Sequence, residues 1–279
     1  MQIFELYRYQ LLPSSQQQND LFETPLTADQ IREKKNHFLN DVLENLPQFR
    51  HRGMEIKHKT IFHAGDIFAF KIGAHKTMDR DTADFSREKI ENWPNVTVLI
   101  NNDPAAQVIA ISRNQKAFAS TKTVANLLEA AISPSIRKYG LTIQVAEQFE
   151  ENNFWALIEA HKGYVSKVRF EMIAPNMANI SQALKIDLKQ LNRDTNCQKT
   201  NIELETLDGV PLEISRDNKL IDGCVEYASL GGGDIAIKIK GYRKEFRTST
   251  TVKTVAIDEL YIEGGGNDLL GNLKELLGD

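Results

Sequence analysis

Glu55-Ile56-Lys57 sets a carboxylate and an ammonium two residues apart, on one face of an extended segment. Metal-dependent nucleases of the restriction-enzyme type use such a pair: the carboxylate holds Mg²⁺, and the lysine steadies an attacking water or the scissile phosphate. The site also needs an acid from a neighbouring strand. Asp66, at the start of the next extended run, meets that need better than Asp41, which falls within a helical pattern. The triplet is short enough to arise by chance, and exposed strand charges are its simpler account.

Other chemistry is thinly represented. His37, His51, His58, His63, His75 and His161 form neither HxxxH nor HExxH, so a zinc site would need distant pieces. Asp79, Asp81, Asp84 and Glu88 match a calcium loop in density only, without its glycine and final glutamate in place, and are expected to be a solvated run. Gly231-Gly232-Gly233-Asp234 follows a helical pattern and precedes a strand, the reverse of a phosphate-cradling loop, so these glycines are expected to end the helix and turn the chain. There is no GxSxG elbow. Cys197 and Cys224 lack metal-ligand spacing, and Cys224 falls on the apolar side of a helix as a buried free thiol. No motif calls for a metal or cofactor.

The sharpest asymmetry lies in residues 235–254, where Lys238, Lys240, Arg243, Lys244, Arg247 and Lys253 face one acid, Glu245, in a chain of net charge -4. Tyr242 and Phe246 flank the arginines. Lys238, Lys240, Tyr242, Arg243, Lys244 and Arg247 therefore form a candidate nucleic-acid surface, with cations for phosphates and an aromatic for an unpaired base. His51, Arg52, Lys57 and Lys59 would extend it if two sheets abut. The competing account is an amphipathic edge strand whose lysines oppose aggregation.

The elements that must position these residues are well signalled. Residues 95–113 carry two β-branched runs around Asn102-Asp103-Pro104-Ala105, a strand pair deep in a sheet, with Asn101, Asn102 and Asp103 bonding back to their own backbone. Strand 2–10 precedes them. Thr27 and Gln30 make a capping box, with Leu26 and Ile31 as a staple, for a helix over 28–46. Residues 54–75 suggest an antiparallel pair, and 76–92 a charged loop passing into a short helix anchored by Phe85 and Ile90. A helix from Thr121 meets Pro134 as a restart or kink, and Gly140 precedes a strand from Leu141. A composition shift at 150–153 marks a subdomain boundary. Beyond it, helices at 153–161, 177–191 and 216–229 (capped by Ser215) alternate with strands at 165–173, 201–206, 234–240 and 251–258. The order βαβαββ would close a second sheet with helices on one face.

The fold expected is α+β, with largely antiparallel sheets, helices packed on them, and subdomains 1–150 and 151–262. After Gly264-Gly265-Gly266, Leu269, Leu270, Leu273, Leu276 and Leu277 stripe a short helix that must bury itself on its own domain, a partner protein or a second copy. At 279 residues, 41% hydrophobic and 26% charged, the chain has the composition of a globular protein. It lacks an export signal at its start and an apolar run long enough for a membrane span, so a soluble, cytoplasmic protein is expected.

PNVTVLINNDPAAQVIAISRN at 94–114, Phe154-Trp155, VRFEMIAPNM at 168–177 and the late GYRKEF together resemble a family of uncharacterised bacterial proteins found in phage-defence gene clusters. The resemblance implies a part in antiviral defence, with the effector supplied by the rest of the system. The function expected is a non-catalytic defence component that binds nucleic acid or a nucleic-acid-bound partner through residues 238–247. A Mg²⁺-dependent nuclease and a structural, protein-interaction subunit are the alternatives.

Overall fold

Thr27 opens the first helix as its sequence requires: its hydroxyl accepts from Gln30 N, and the Gln30 side chain accepts from Thr27 N at 2.9 Å. The computed structural model describes residues 1–14, 26–51, 53–173, 194–195, 197–207, 210–258, 262 and 277. In chain order the first elements are β1 (Gln2–Pro13), α1 (Ala28–Glu44), β2 (Ile56–Ala64), β3 (Ile67–Ala74), β4 (Lys76–Asp81), β5 (Arg87–Asn92), β6 (Asn95–Asn101), β7 (Val108–Ser112) and α2 (Thr121–Arg137). There follow β8 (Leu141–Glu147), α3 (Glu151–Ala160), β9 (Val165–Ile173), β10 (Lys199–Glu205), α4 (Lys219–Tyr227), β11 (Gly233–Ile239), β12 (Phe246–Arg247) and β13 (Thr254–Ile257). The fold is α+β, built on antiparallel sheets.

The chain divides into two compact units, one of Met1–Glu5, Pro13–Ile143 and Thr254–Asp279, the other of Leu6–Leu12 and Gln144–Lys253. In the larger sheet the strand order is β13-β1-β7-β6-β3-β2, with β8 also pairing β1. The apolar hairpin β6–β7 lies inside it: Val98 faces Ile111, Leu99 faces Ala110, and β3 flanks β6 on the other side. Every residue of β7 is buried, as its unbroken apolar run demands. At the hairpin turn Asn101 Oδ1 accepts from Asp103 N (3.0 Å) and Asp103 Oδ1 from Ala105 N (2.8 Å). Asn102 behaves differently. It is fully buried and bonds to α1, donating to Asn36 O (2.7 Å) and Asn40 Oδ1 (2.5 Å) and accepting from Asn36 Nδ2 (3.0 Å).

Residues 76–92 depart from expectation. They form the hairpin β4–β5, in which Asp79 faces Lys89, Arg80 faces Glu88 and Asp81 faces Arg87. Charges of alternating sign are satisfied across a two-stranded ribbon as readily as on a helix face. Phe85, expected as an anchor, sits at its tip with positive φ and 97% exposed. Pro134 does not stop α2, which runs on to Arg137.

The second unit carries the four-stranded sheet β10-β9-β11-β12. Its apolar face, with Val168, Phe170, Met172, Ile235 and Ile237, packs with Phe154 and Ile158 of α3 and Ile221, Cys224 and Val225 of α4. That helix begins three residues later than Ser215 would have it: Asn218 Oδ1 caps Leu220 N (3.1 Å) and Ile221 N (3.3 Å), while Ser215 Oγ accepts from Asp217 N (3.1 Å). The last strand also corrects expectation, since β13 pairs β1 in the larger sheet and does not close the second one.

Glycines 231 to 233 end the helical stretch, as their order predicted, and each is required. Gly231 has φ +81 with its backbone against Arg8 Cβ; a Cβ on Gly232 would strike the Tyr227 ring, and one on Gly233 the carbonyl of Glu171. The helix expected at 177–191 lies outside the described residues, as do the glycine joint and Leu269, Leu270, Leu273 and Leu276; Leu277 is buried. Among the described residues no helix is long and apolar enough to cross a membrane.

Candidate functional site

Strand alternation in the second unit sends Lys167, Arg169 and Glu171 of β9, Glu203 and Glu205 of β10 and Asp234 of β11 to the sheet face opposite its apolar core. They form a lattice. Lys167 Nζ reaches Glu203 and Glu205 at 3.0 Å each; Arg169 reaches Glu171 (3.0 Å), Glu245 (3.3 Å) and Glu203 (3.5 Å). Arg247 reaches Asp234 (2.7 Å) and Glu171 (3.1 Å). The hydrogen bonds raise the pKa of Arg247, through Glu171 first and then Asp234, and lower that of Glu203 through Lys167. Asp234 is further held by the hydroxyls of Thr248 (2.9 Å) and Ser249 (3.0 Å).

Nucleic-acid binding gains no support for residues 238–247 from this arrangement. Of the candidate residues, Arg247 is engaged by Asp234 and Glu171. Lys238 Nζ donates to the carbonyls of Tyr242 and Arg243, both at 3.0 Å. Tyr242, 48% exposed, packs edge-on with His161 (5.4 Å) and Phe246 (5.1 Å). Lys240, Arg243 and Lys244 are exposed on the turn.

Glu55, Lys57 and Asp66 are not brought together. Glu55 immediately precedes β2 and Asp66 lies in the turn at the far end of the β2–β3 hairpin, whose register runs from Ile56 opposite Ala74 to Ala64 opposite Ile67. Eight residue steps of strand span roughly 27 Å. Glu55 and Lys57 pair with each other at 3.4 Å in solvent, and the lysine lies 4.3 Å from the centroid of the Trp93 ring. Among the described residues no three His, Cys, Asp or Glu side chains converge to hold a metal. Neither cysteine is in a disulfide; burial pushes the Cys224 thiol up to about 11.

Two clefts remain. In the first unit a cleft of about 220 Å³ opens at the start of α2, lined by Ser112, Arg113, Asn114 and Ser120. Its positive groups already have a resident anion: Glu5 accepts from Arg113 Nε (2.6 Å) and from the Thr121 hydroxyl.

The larger cleft, about 680 Å³, belongs to the second unit and lies between α3 and the extended segment 211–216. Phe154 and Ile158 face the core, which turns Trp155 and Glu159 to the cleft. Leu212 and Ile214 pack inward from the other wall, and Leu212 N donates to Val165 O (2.8 Å). Arg216 lies 5.3 Å from the Trp155 ring centroid and is held by Asn152 Oδ1 at 2.7 Å. Glu159, Lys162, Glu213 and Arg216 leave the rim neutral. The indole Nε1 of Trp155 is buried without an acceptor. Beside the cleft in sequence, Tyr164, Leu207 and Val210 are 61%, 88% and 62% exposed.

The sequence singled out none of these as functional. The available signal was Trp155 itself: a large aromatic one position off the Phe154–Ile158 stripe is misplaced for a core residue. Arg216 carried no such signal, because its partners Asn152 and Trp155 are more than sixty residues away.

No protein-family model, curated protein or solved structure matches the chain. The resemblance to phage-defence proteins thus finds no counterpart, and the antiviral role does not stand with it.

Proposed function

We propose that the chain is a binding module whose second unit seats an extended segment of a partner protein in the cleft between α3 and residues 211–216. The observation that carries this is the solvent-open cleft of about 680 Å³ itself, walled by Trp155 with Arg216 5.3 Å from its ring centroid. Apolar walls from Ile158, Pro211 and Leu212 suit one aliphatic or aromatic anchor, while Arg216 over the indole supplies a polar edge. Exposed Tyr164, Leu207 and Val210 extend the apolar surface past the cleft, which suits a polypeptide better than a compact small molecule.

A displayed library of extended peptides tests this. The chain has two tryptophans, so a Trp93→Phe background isolates the emission of Trp155. Selected peptides should carry an apolar anchor, shift that emission, and lose at least tenfold in affinity with Trp155→Ala, which takes away the cleft wall. Peptides that bind equally well to Trp155→Ala and to Arg216→Ala, or a selection that yields no binder, would sink the proposal.

A further inference from the structure

Phe85 is the last residue of the loop Ala83-Asp84-Phe85 at the tip of the β4–β5 ribbon. The loop is closed by Thr82 N donating to Ser86 O (2.9 Å) and Phe85 N to Thr82 O (3.0 Å), and the Thr82 and Ser86 hydroxyls bond at 2.8 Å. A three-residue hairpin loop ends in a left-handed residue, a place that glycine or asparagine takes without difficulty. Here a phenylalanine holds it, with φ +57, and its ring is 97% exposed. Backbone strain and an aromatic ring in water thus fall on one residue, and no contact within its own chain offsets either.

The ribbon presents that ring outward. β4 follows β3 and β5 precedes β6, so the ribbon continues the β3–β6 pair past the larger sheet. Its residues are exposed on both faces, apart from Lys76, Ile90 and Asn92, which are half-buried. Cross-strand pairs such as Arg80 with Glu88 (3.1 Å) and Arg87 with Asp81 (3.8 Å) settle most of its charge. Asp84, exposed beside Phe85, has no ion pair among the described residues. Over 76–92 four cations meet five carboxylates, so a phosphate surface is a poor receiver for this tip. It calls for an apolar pocket with a cation at its edge.

The Trp155 cleft has both. Ile158, Val165, Pro211 and Leu212 give it apolar walls. Arg216 is fixed by Asn152 (2.7 Å) and the Trp155 ring, and among the described residues no carboxylate pairs with it; Glu159 is engaged by Lys162 at 3.5 Å. We propose that the Asp84-Phe85 tip of one copy seats in the Trp155 cleft of a second copy, with the phenyl ring in the apolar pocket and the Asp84 carboxylate on the Arg216 guanidinium. Tip and cleft are different surfaces, so the contact is heterologous and copies join head to tail. The proposal rests on the cleft's being a protein-binding site and names its occupant.

Sedimentation velocity of the full chain over a concentration series tests this. A contact this small predicts association in the micromolar range, visible below about 0.5 mM. Phe85→Asn, which keeps a residue at ease with the left-handed backbone, should stay monomeric with a Tm no lower than the parent's. Trp155→Ala should also stay monomeric. An equimolar mixture of the two should form a heterodimer that grows no further, since one supplies the cleft and the other the tip. Should Trp155→Ala fail to fold, a charge exchange replaces it: Asp84→Arg and Arg216→Glu should each weaken association at least fivefold, and the double variant should recover it. A parent that is monomeric to about 0.5 mM, association unchanged in Phe85→Asn, or variants that do not complement would overturn the proposal. A monomeric parent whose cleft still selects foreign peptides excludes the second copy and leaves the cleft a binding site; one that selects none fails both readings.

Discussion

Replacing Asn102 by alanine should destabilise the first unit far more than its place in a hairpin turn suggests. The side chain is fully buried and makes three bonds to α1: to Asn36 O at 2.7 Å, to Asn40 Oδ1 at 2.5 Å, and from Asn36 Nδ2 at 3.0 Å. Alanine removes all three and strands the Asn40 carboxamide oxygen, whereas Asn36 Nδ2 keeps the Asn102 carbonyl at 2.8 Å. At about 1 kcal/mol net per bond, with a surplus for the stranded acceptor, the loss comes to about 2–4 kcal/mol. Urea unfolding followed by circular dichroism should show the midpoint lowered by roughly 1 M, with the slope unchanged. Asn102→Asp sharpens the test. Its carboxylate would face two acceptors, so at neutral pH it should be worse than alanine. Its folded-state pKa is raised above the unfolded value, and stability should therefore return as pH falls through that folded pKa. A loss under about 0.5 kcal/mol in the alanine variant, the size of an ordinary surface change, would refute the role of the asparagine node.

Cys224 should be unreactive in the native protein at pH 8, while Cys197, only partly buried, reacts with a disulfide reagent; unfolding should release the second thiol. Because burial pushes the Cys224 thiol up to about 11 from an ordinary 9.0, the folded state holds its proton over that interval. Its contribution is present below pH 9 and lost as pH rises toward 11, so the gap in stability between the parent and Cys224→Ala should shrink there. Gly233→Ala should cost several kcal/mol or prevent folding, since its Cβ would stand within the Glu171 carbonyl and neither backbone can yield without breaking the β9–β11 ladder. Calorimetry checks it, and a near-parental Tm would contradict the packing.

Much of the fold was legible because local and tertiary forces agree. The capping box at Thr27, the unbroken apolar run of β7 and the period of α2 each name one structure, and tertiary packing has no reason to oppose it. The failures occur where sequence leaves two structures nearly equal. The run 76–92 is polar in either form, and cross-strand pairing of Asp79 with Lys89 and Arg80 with Glu88 decides for a hairpin, a choice invisible to helical periodicity. Ser215 and Asn218 are both good caps; Asn218 wins because it bonds two orphan N–H groups, whereas Ser215 is engaged in its own turn. The assignment of β13 to the larger sheet was out of reach, since nothing local to Thr254–Ile257 says that its partner is Gln2–Glu5.

The charged residues carry the more general lesson, because charge in sequence and charge at a surface are different quantities. Residues 235–254 sum to +5 along the chain. Folding sets Arg247 between Asp234 and Glu171, and brings Arg169 to Glu171, Glu203 and Glu245, acids drawn from three strands and a turn. Strand register produces this: Glu203, Arg169, Ala236 and Arg247 lie in one row across the sheet, with Asn201, Glu171 and Asp234 in the row beside it. Within one row Arg169 and Arg247 stand 78 residues apart in sequence, so no short window along the chain can sum it. Arg8 is the opposite case. Its neighbours along β1 are Tyr7, Tyr9 and Leu11, and no local count marks it as unusual, yet folding leaves it the buried cation without a carboxylate among the described residues. The fold thus pairs one arginine of the surplus and strands an isolated charge elsewhere, outcomes that neither stretch announces in sequence.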